Sequence, residues 1–300
     1  MTVSVLIPTF RRPESFRRAV ASVFAQRGVD GVELVAIDNS PEGSALALCA
    51  ELAQGAPMPF RYAHEARPGV AHARNAALAL ARGELVAWLD DDEEAAPGWL
   101  AALVAARTQS GAQSVFGPVI ALAPNGGRWR AFLENLYARR GPSDNCSLDR
   151  AFGIGNSLQP RALFAADEFD TRANQSGGED DRLFSIWSRA GAHFAWAADA
   201  AVIEHVEGAR AHIGHGLKRA FAYGQGPCET AWTERHYASL ARHMGVGAVQ
   251  FCVFGVGAVG LALARNGRAH VYLDRAARGA GKMFWFFEQR FYGARLARAA

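Results

Sequence analysis

Leu85-Val86-Ala87-Trp88-Leu89-Asp90-Asp91-Asp92-Glu93 runs five apolar residues straight into four carboxylates. The apolar half reads as a buried strand and the acids as its end. Adjacent carboxylates raise one another's pKa by like-charge repulsion, so the cluster is costly unless a cation sits there. A hard divalent ion with oxygen ligands is the usual means. The stretch therefore reads as built around a metal. A second reading stays open on this segment alone, in which the acids are a solvated helix start before Pro97, favoured by the helix dipole.

Working outward, short β-rich runs alternate with amphipathic helical ones: Val3 to Ile7, Pro13 to Gln26, Val32 to Ile37, Gly43 to Gln54, Phe60 to His64, Val70 to Ala81, then Leu85 to Leu89. This βαβα order predicts an α/β fold with a mostly parallel sheet and helices on both faces. In such sheets ligands bind beyond the carboxyl ends of the strands. Three strand ends carry polar residues suited to a ligand: Pro8-Thr9, Asp38-Asn39-Ser40 and the acid cluster. They are expected to share one crevice.

The order and spacing of several motifs carry a resemblance. Ser4-Val5-Leu6-Ile7-Pro8-Thr9-Phe10-Arg11-Arg12, the strand ending in Asp38, Ala73-Arg74-Asn75 and Leu89-Asp90-Asp91-Asp92-Glu93 resemble the family 2 inverting glycosyltransferases of the GT-A, Rossmann-like fold. Gly153-Ile154-Gly155-Asn156-Ser157 resembles the acceptor-side strand of that family, and Phe169-Asp170 with Gly178-Glu179-Asp180-Asp181 resembles its catalytic-base motif. The likeness covers roughly residues 3 to 205. Arg67-Pro68-Gly69 leading to Ala73-Arg74-Asn75 is further similar to the glucosyltransferases that build bacterial exopolysaccharide repeats such as succinoglycan.

The resemblance implies roles. Asp92 would hold Mn²⁺ or Mg²⁺, with His205 as a further metal ligand, although a lone His is more often structural. Asp90 and Asp91 would touch the ribose or the metal's waters. Asp38 would accept the N3–H of a pyrimidine, Pro8, Thr9 and Arg11 would line the same nucleotide-sugar pocket, and Arg74 would reach the nucleotide. Uracil and thymine share that N3–H, so Asp38 does not separate UDP from dTDP. Asp180 would be the base that deprotonates the acceptor, with Gly155, Asn156 and Glu179 on the acceptor side. Gly177-Gly178 would let Asp180 move to the acceptor, and Asp181, its neighbour on the helical turn, points elsewhere.

Composition bounds the rest. The 300 residues, half of them hydrophobic, suffice for one large core. We expect a catalytic domain over 1–210, divided into a nucleotide-sugar half, 1–117, and an acceptor half, 118–210, followed by a helical, membrane-associating region, 211–300. Cys49, Cys146, Cys228 and Cys252 lack CxxC spacing, which indicates neither a disulfide framework nor a zinc site and fits a reducing cytoplasm. The first strand begins straight after Thr2, so no signal peptide is expected at this end. His212 and His215 lack the carboxylate partner and spacing of a zinc site and read as loop residues near the acceptor.

From Gly245 to Ala264 the chain is apolar apart from Gln250, about 20 residues and long enough for a bilayer core of about 30 Å. Arginines flank it on both sides, so a single crossing would put a basic tail outside, against the positive-inside tendency. The tail itself, Met283 to Phe287 and Phe291-Tyr292 among Lys282, Arg290, Arg295 and Arg298, suits an anionic lipid surface. We expect a monotopic or re-entrant attachment at the cytoplasmic face of the inner membrane. The five glycines at 245, 247, 255, 257 and 260 would weaken one long helix, and the competing reading is a buried helix pair. Net charge of +3 and the apolar block argue against a nucleic-acid partner.

Other enzyme classes fit poorly. An aspartate-based phosphatase would carry its nucleophile where Pro8-Thr9 stands, Phe10-Arg11-Arg12 is not a phosphate loop, and there is no GxxxxGK[ST]. The Gln-x-x-Arg-Trp motif of processive synthases is missing, which favours single addition. The expected function is metal-dependent, inverting transfer of a sugar, with glucose expected, from a UDP-sugar to a lipid-linked or polysaccharide acceptor. The alternative is a non-catalytic scaffold of a polysaccharide assembly complex that binds a nucleotide sugar.

Overall fold

A computed structural model describes residues 1–165, 168–171 and 178–287. Gly177 of the glycine pair and Arg290, Phe291, Tyr292, Arg295 and Arg298 of the aromatic, basic tail lie outside the described residues. Among the described residues the chain divides into two compact units, one of Met1–Ile120 with Arg139–His205, the other of Ala121–Ala138 with residues 206–287.

The first unit begins with the expected alternation: β1 (Val3–Thr9), α1 (Pro13–Phe24), β2 (Val32–Asp38), α2 (Leu46–Gln54), β3 (Phe60–His64), α3 (Val70–Leu80), β4 (Leu85–Trp88). It continues with β5 (Glu93–Ala95), α4 (Trp99–Ser110), β6 (Ser114–Phe116) and β7 (Val119–Leu122). After α5 (Arg130–Tyr137), which belongs to the second unit, come β8 (Cys146–Leu148), β9 (Ser157–Pro160), α6 (Glu179–Arg189), β10 (Phe194–Trp196) and β11 (Val202–His205).

Eight strands form one sheet in the order β3-β2-β1-β4-β9-β6-β10-β8. The pairs β3/β2, β2/β1, β1/β4 and β6/β10 are parallel, while β9 runs antiparallel to both its neighbours and β8 antiparallel to β10. A strand covered on both faces needs apolar residues at every position, and in β1 Val3, Val5, Leu6 and Ile7 are all fully buried. Alternate residues serve opposite faces. Val3, Val5 and Ile7 join Phe16, Val20, Leu48, Trp99 and Leu103 from α1, α2 and α4. Leu6 joins Ala73, Ala77, Trp88, Phe184 and Trp187 on the side of α3 and α6. The fold class expected from the pattern is thus the one observed.

The acid tetrad is not a helix start. Asp91 and Asp92 make a turn, and Glu93 already begins β5, which pairs antiparallel with β11 so that Glu93 faces Glu204 and Ala95 faces Val202.

The second unit contains α5, α7 (Ile213–Thr233), α8 (Tyr237–Leu263) and α9 (Ala269–Met283). Phe132, Leu133, Leu136 and Tyr137 of α5 pack with Val206, Ala220, Leu217 and Leu273. His215 lies in the first turn of α7 and shares a hydrogen bond with Tyr137 Oη at 3.0 Å, and His212 immediately precedes that helix. The glycine-rich stretch does not break into a helix pair: α8 is one helix of 27 residues. Two of its glycines explain why. A Cβ on Gly247 would lie 2.6 Å from Lys282 Cβ, and one on Gly257 2.6 Å from the Tyr272 ring. Bare backbone lets α9 run back along α8, and this packing offsets the roughly 1 kcal/mol of helix propensity that each glycine costs.

Candidate active site

The carboxyl ends of β1, β2 and β4 supply the residues that the sequence singles out. Thr9 and the acid tetrad meet. Asp91, 6 % exposed, accepts hydrogen bonds from Thr9 Oγ1 at 2.9 Å and from the Phe10 N–H at 3.2 Å. Its other oxygen and Asp92 Oδ2 both accept from Arg12 Nη1, at 2.8 and 2.6 Å. The cation that the tetrad requires is therefore present in the chain itself, and sequence reasoning missed it although Arg12 stands inside the quoted opening motif.

Glu93 is neutralised differently. It is buried, its carboxylate oxygen accepts the Asp90 N–H at 3.0 Å, and burial, reinforced by the negative charge of Asp90, pushes its carboxyl up to about 8. Asp90 lies against Gly155, where an added Cβ would come within 2.6 Å of Asp90 Oδ2. The His205 N–H donates to the Asp92 carbonyl at 2.9 Å, so the backbones of these two residues meet. Its imidazole turns elsewhere, with Nε2 3.0 Å from Glu94 Oε2.

Asp180 sits in the first turn of α6, where the N-terminal end of a helix favours negative charge. Its Oδ2 accepts the Ile154 N–H at 3.1 Å and lies 3.3 Å from where a Cβ on Gly153 would be. Gly153-Ile154-Gly155 thus has Asp180 at one end and Asp90 at the other. Arg139 fixes this loop from behind, donating to the carbonyls of Gly153 at 2.8 Å, Gly155 at 2.7 Å and Asn156 at 3.2 Å. Nothing in the local pattern marks Arg139, because its partners are carbonyls and its role exists only once the loop is folded.

Several of the expected site residues are engaged within the protein. Asp38 is fully buried, and its two oxygens accept the N–H groups of Ser40 at 2.8 Å and Ala45 at 2.6 Å, which fixes the loop after β2. Its neighbour Asn39 performs a similar task, donating to the carbonyls of Glu65 and Arg67 and accepting the Gly69 N–H. Asn156 is also fully buried, with φ of 49°; its amide donates to Pro118 and Ala200 carbonyls and accepts from Trp99 Nε1 at 2.7 Å. That makes it an internal clip between the start of β9 and the backbone of Pro118 and Ala200. Arg11 extends outward and forks onto Glu42 at 2.6 and 2.7 Å. Pro8 remains within β1, half-buried beside Thr9.

Arg74 and Glu179 are also redirected. They form a buried ion pair with each other, and the Arg74 guanidinium lies 5.4 Å over the Phe169 ring. Burial pushes the Glu179 carboxyl up despite Arg74, with the charge of Asp180 adding to the rise. Next to it Asn75 exchanges two hydrogen bonds of 3.0 Å with the backbone of Phe169. Ala73-Arg74-Asn75 therefore ties α3 to the segment that carries Asp180.

Among the described residues no three or more His, Cys, Asp or Glu side chains converge as a ready-made metal cage. The residues nevertheless fit a divalent ion of the Mg²⁺ or Mn²⁺ kind. Oxygens of Asp91 and Asp92 already aim at one cationic nitrogen, and such ions are commonly held by one or two carboxylates, with water and substrate phosphate completing the shell.

Comparison with known proteins agrees with this geometry. Residues 4–163 match the profile of "Glycosyl transferase family 2". The succinoglycan biosynthesis protein ExoM of Rhizobium meliloti is 30% identical over 236 residues, 74% of this chain and 73% of that one. ExoO of the same organism is 29% identical over 46% of this chain and 38% of its own. Among solved structures, the mannosyltransferase PcManGT from Pyrobaculum calidifontis, in complex with GDP-Man and Mn²⁺, superposes with a TM-score of 0.64 at 19% identity, covering 95% of this chain and 88% of that one. Residues 1–349 of S. aureus TarS give 0.56 at 13% identity over 95% and 91%. The parallel sheet, the acids at its strand ends and a profile match over more than half the sequence lead to one conclusion: the chain belongs to glycosyl transferase family 2 and is a glycosyltransferase of GT-A fold.

Proposed function

We propose that the protein transfers a sugar, with glucose the expected one, from a UDP-sugar to a lipid-linked or polysaccharide acceptor with inversion at the anomeric carbon. The observation that carries this reading is the short loop Gly153-Ile154-Gly155, with a buried-edge base candidate, Asp180, at one end and the acid cluster at the other. The acceptor hydroxyl attacks the anomeric carbon, the bond to the diphosphate oxygen breaks, and Asp180 takes the hydroxyl proton. The Ile154 N–H holds the Asp180 carboxylate in place for this. General-base assistance of this kind is worth about 10²–10⁴-fold in rate.

Asp92, with Asp91, would hold Mn²⁺ or Mg²⁺. When bound, such an ion supplies Lewis-acid neutralisation of the charge on the departing diphosphate. Thr9 and the Phe10 N–H orient Asp91, and Gly155 leaves Asp90 its space because any side chain there would displace it. The likeness to the succinoglycan biosynthesis proteins ExoM and ExoO supports a place in bacterial exopolysaccharide biosynthesis; the acceptor is proposed to be held at the cytoplasmic face of the inner membrane.

The test is a panel of nucleotide sugars with Mn²⁺, scoring thermal stabilisation and donor hydrolysis. Metal-dependent stabilisation by one UDP-sugar, lost in Asp92→Ala, together with hydrolysis lost in Asp180→Asn, is the expected result. Binding of no nucleotide sugar, with or without metal, would overturn it.

A further inference from the structure

From Val246 to Leu263, helix α8 presents a run of apolar side chains to solvent. Val246, Val249, Val253, Val256, Val259 and Leu263 are all exposed, Val256 by 76% and Leu263 by 81%. At 3.6 residues per turn they fall within about 140° of arc, a stripe roughly 25 Å long. The opposite side of α8 is the one packed on α9, through Gly247 and Gly257. Only 11% of the most apolar part of this helix is buried, at a mean hydropathy of 2.1. An apolar stripe of this extent facing water calls for an occupant.

We infer that α8 docks in the plane of an anionic lipid surface, its valine stripe among the acyl chains and α9 on the side away from the membrane. Three observations point to lipid. No acidic residue occurs between Glu234 and Asp274, while Arg235, Arg242, Arg265 and Arg268 stand exposed at the two ends of α8. Such arginines reach the headgroups when the stripe between them is immersed. Next, Trp232, Tyr237 and Trp285 cluster at the N-terminal end of α8, with ring centroids 5.7 and 5.4 Å from Trp232, and Phe286 and Phe287 are exposed beside them. Tryptophan and tyrosine favour the membrane–water boundary. Finally, a second copy docked on this stripe would bring the same arginines against one another with no acidic residue on α8 to pair them, and like charges placed together across an interface oppose association.

Crossing the membrane is disfavoured by α9. That helix packs along α8 and would enter the bilayer with it, bringing Asp274, Arg275, Arg278 and Lys282. Asp274 and Arg278 pair at 2.8 Å, and Lys282 Nζ donates to Gln250 Oε1 at 2.8 Å. Charges at bilayer depth are costly, whereas an in-plane helix leaves them at the aqueous side. The inference deepens the membrane part of the proposed function, and vesicle binding reads it separately from sugar transfer.

The experiment is flotation of the full chain with phosphatidylcholine vesicles, with and without phosphatidylglycerol, comparing wild type with the double variant Val249→Glu/Val256→Glu. Both positions face water, so the variant is expected to melt at the wild-type temperature. Wild type should float with the anionic vesicles, and the double variant should bind at least tenfold more weakly. A fluorophore at position 249, 256 or 263 should be quenched equally well by shallow doxyl lipid. Equal vesicle binding by the two proteins would overturn the inference. So would deeper quenching at 256 than at its neighbours, which means a span, or a wild-type dimer that the double variant dissociates, which means a second copy.

Discussion

Asp180 Oδ2 accepts the backbone N–H of Ile154 at 3.1 Å, which fixes a carboxylate on the first turn of α6 against the loop that ends at Asp90. Asn in this position can keep a hydrogen bond to the same N–H while losing the capacity to take a proton. Asp180→Asn is expected to lower sugar transfer by about 10²–10⁴-fold, with donor binding and melting temperature close to wild type. Radiolabelled transfer to a lipid extract, run beside donor titration, checks both halves. Near-normal turnover in the folded variant would remove Asp180 from the reaction.

Arg12 forms ion pairs with both Asp91 and Asp92, at 2.8 and 2.6 Å. Arg12→Gln should leave two carboxylates without a counter-ion and lower the melting temperature in EDTA. Adding Mn²⁺ should shrink that difference, because a divalent ion can replace the lost charge. Differential scanning fluorimetry at a series of Mn²⁺ concentrations reads this without reference to catalysis. A deficit unchanged by the metal would mean that Arg12 and the ion do not share the two acids.

Glu93 makes stability depend on pH in a stated direction. The folded protein retains a proton up to about pH 8, whereas an ordinary carboxyl releases it near 4.5. Unfolding therefore releases a proton within that window, and stability falls as pH rises through it. In EDTA the wild type should lose stability from pH 5 to 8, while Glu93→Gln, which cannot ionise, should show a flatter profile and melt higher at pH 8. Urea titrations at several pH values measure it.

Asn156→Ala should behave as a core lesion. It would leave Trp99 Nε1 and the Ala200 carbonyl unpaired in the interior, take one of two hydrogen bonds from the Pro118 carbonyl, and place alanine at φ of 49°. Each buried polar group left unsatisfied costs about 1–3 kcal/mol, so a loss of roughly 3 kcal/mol or more is expected. A urea midpoint within error of wild type would contradict the clip.

The thiols should separate by burial. Burial pushes the Cys49 thiol up to about 12, with the charge of Asp38 adding to it, and raises Cys228 as well. Maleimide applied to the native protein should label exposed Cys252 and spare Cys49 and Cys228 until denaturant is added. Peptide mass mapping distinguishes them.

The element order of the first unit was legible because it is written in local periodicity: a run such as Val3 to Ile7, apolar but for Ser4, has few alternatives to a strand covered on both sides. The acids at the end of β4 were legible for the same reason. Their counter-ion was not, since Arg12 and Asp92 lie 80 residues apart and only the folded sheet brings them together. The same holds for Arg74 and Glu179, which look like separate ligands in the sequence and prove to be each other's partner. The internal hydrogen bonds of Asn156 were not legible, because a motif conveys which residue is present but not which way its amide faces. The glycines of α8 argued locally for a broken helix, and contact with α9 outweighed them.

The chain enters the second unit twice, at Ala121–Ala138 and again from Val206. During synthesis α5 leaves the ribosome well before α7 and α9 exist. At about 5–20 residues per second the wait from Leu136 to Leu273 is roughly 7–27 s, and until it ends Phe132, Leu133 and Leu136 lack the full set of partners that later bury them. A nascent chain stalled before Val206 would thus expose a sticky helix, which makes this interval the stage at which chaperone capture during translation should be sought.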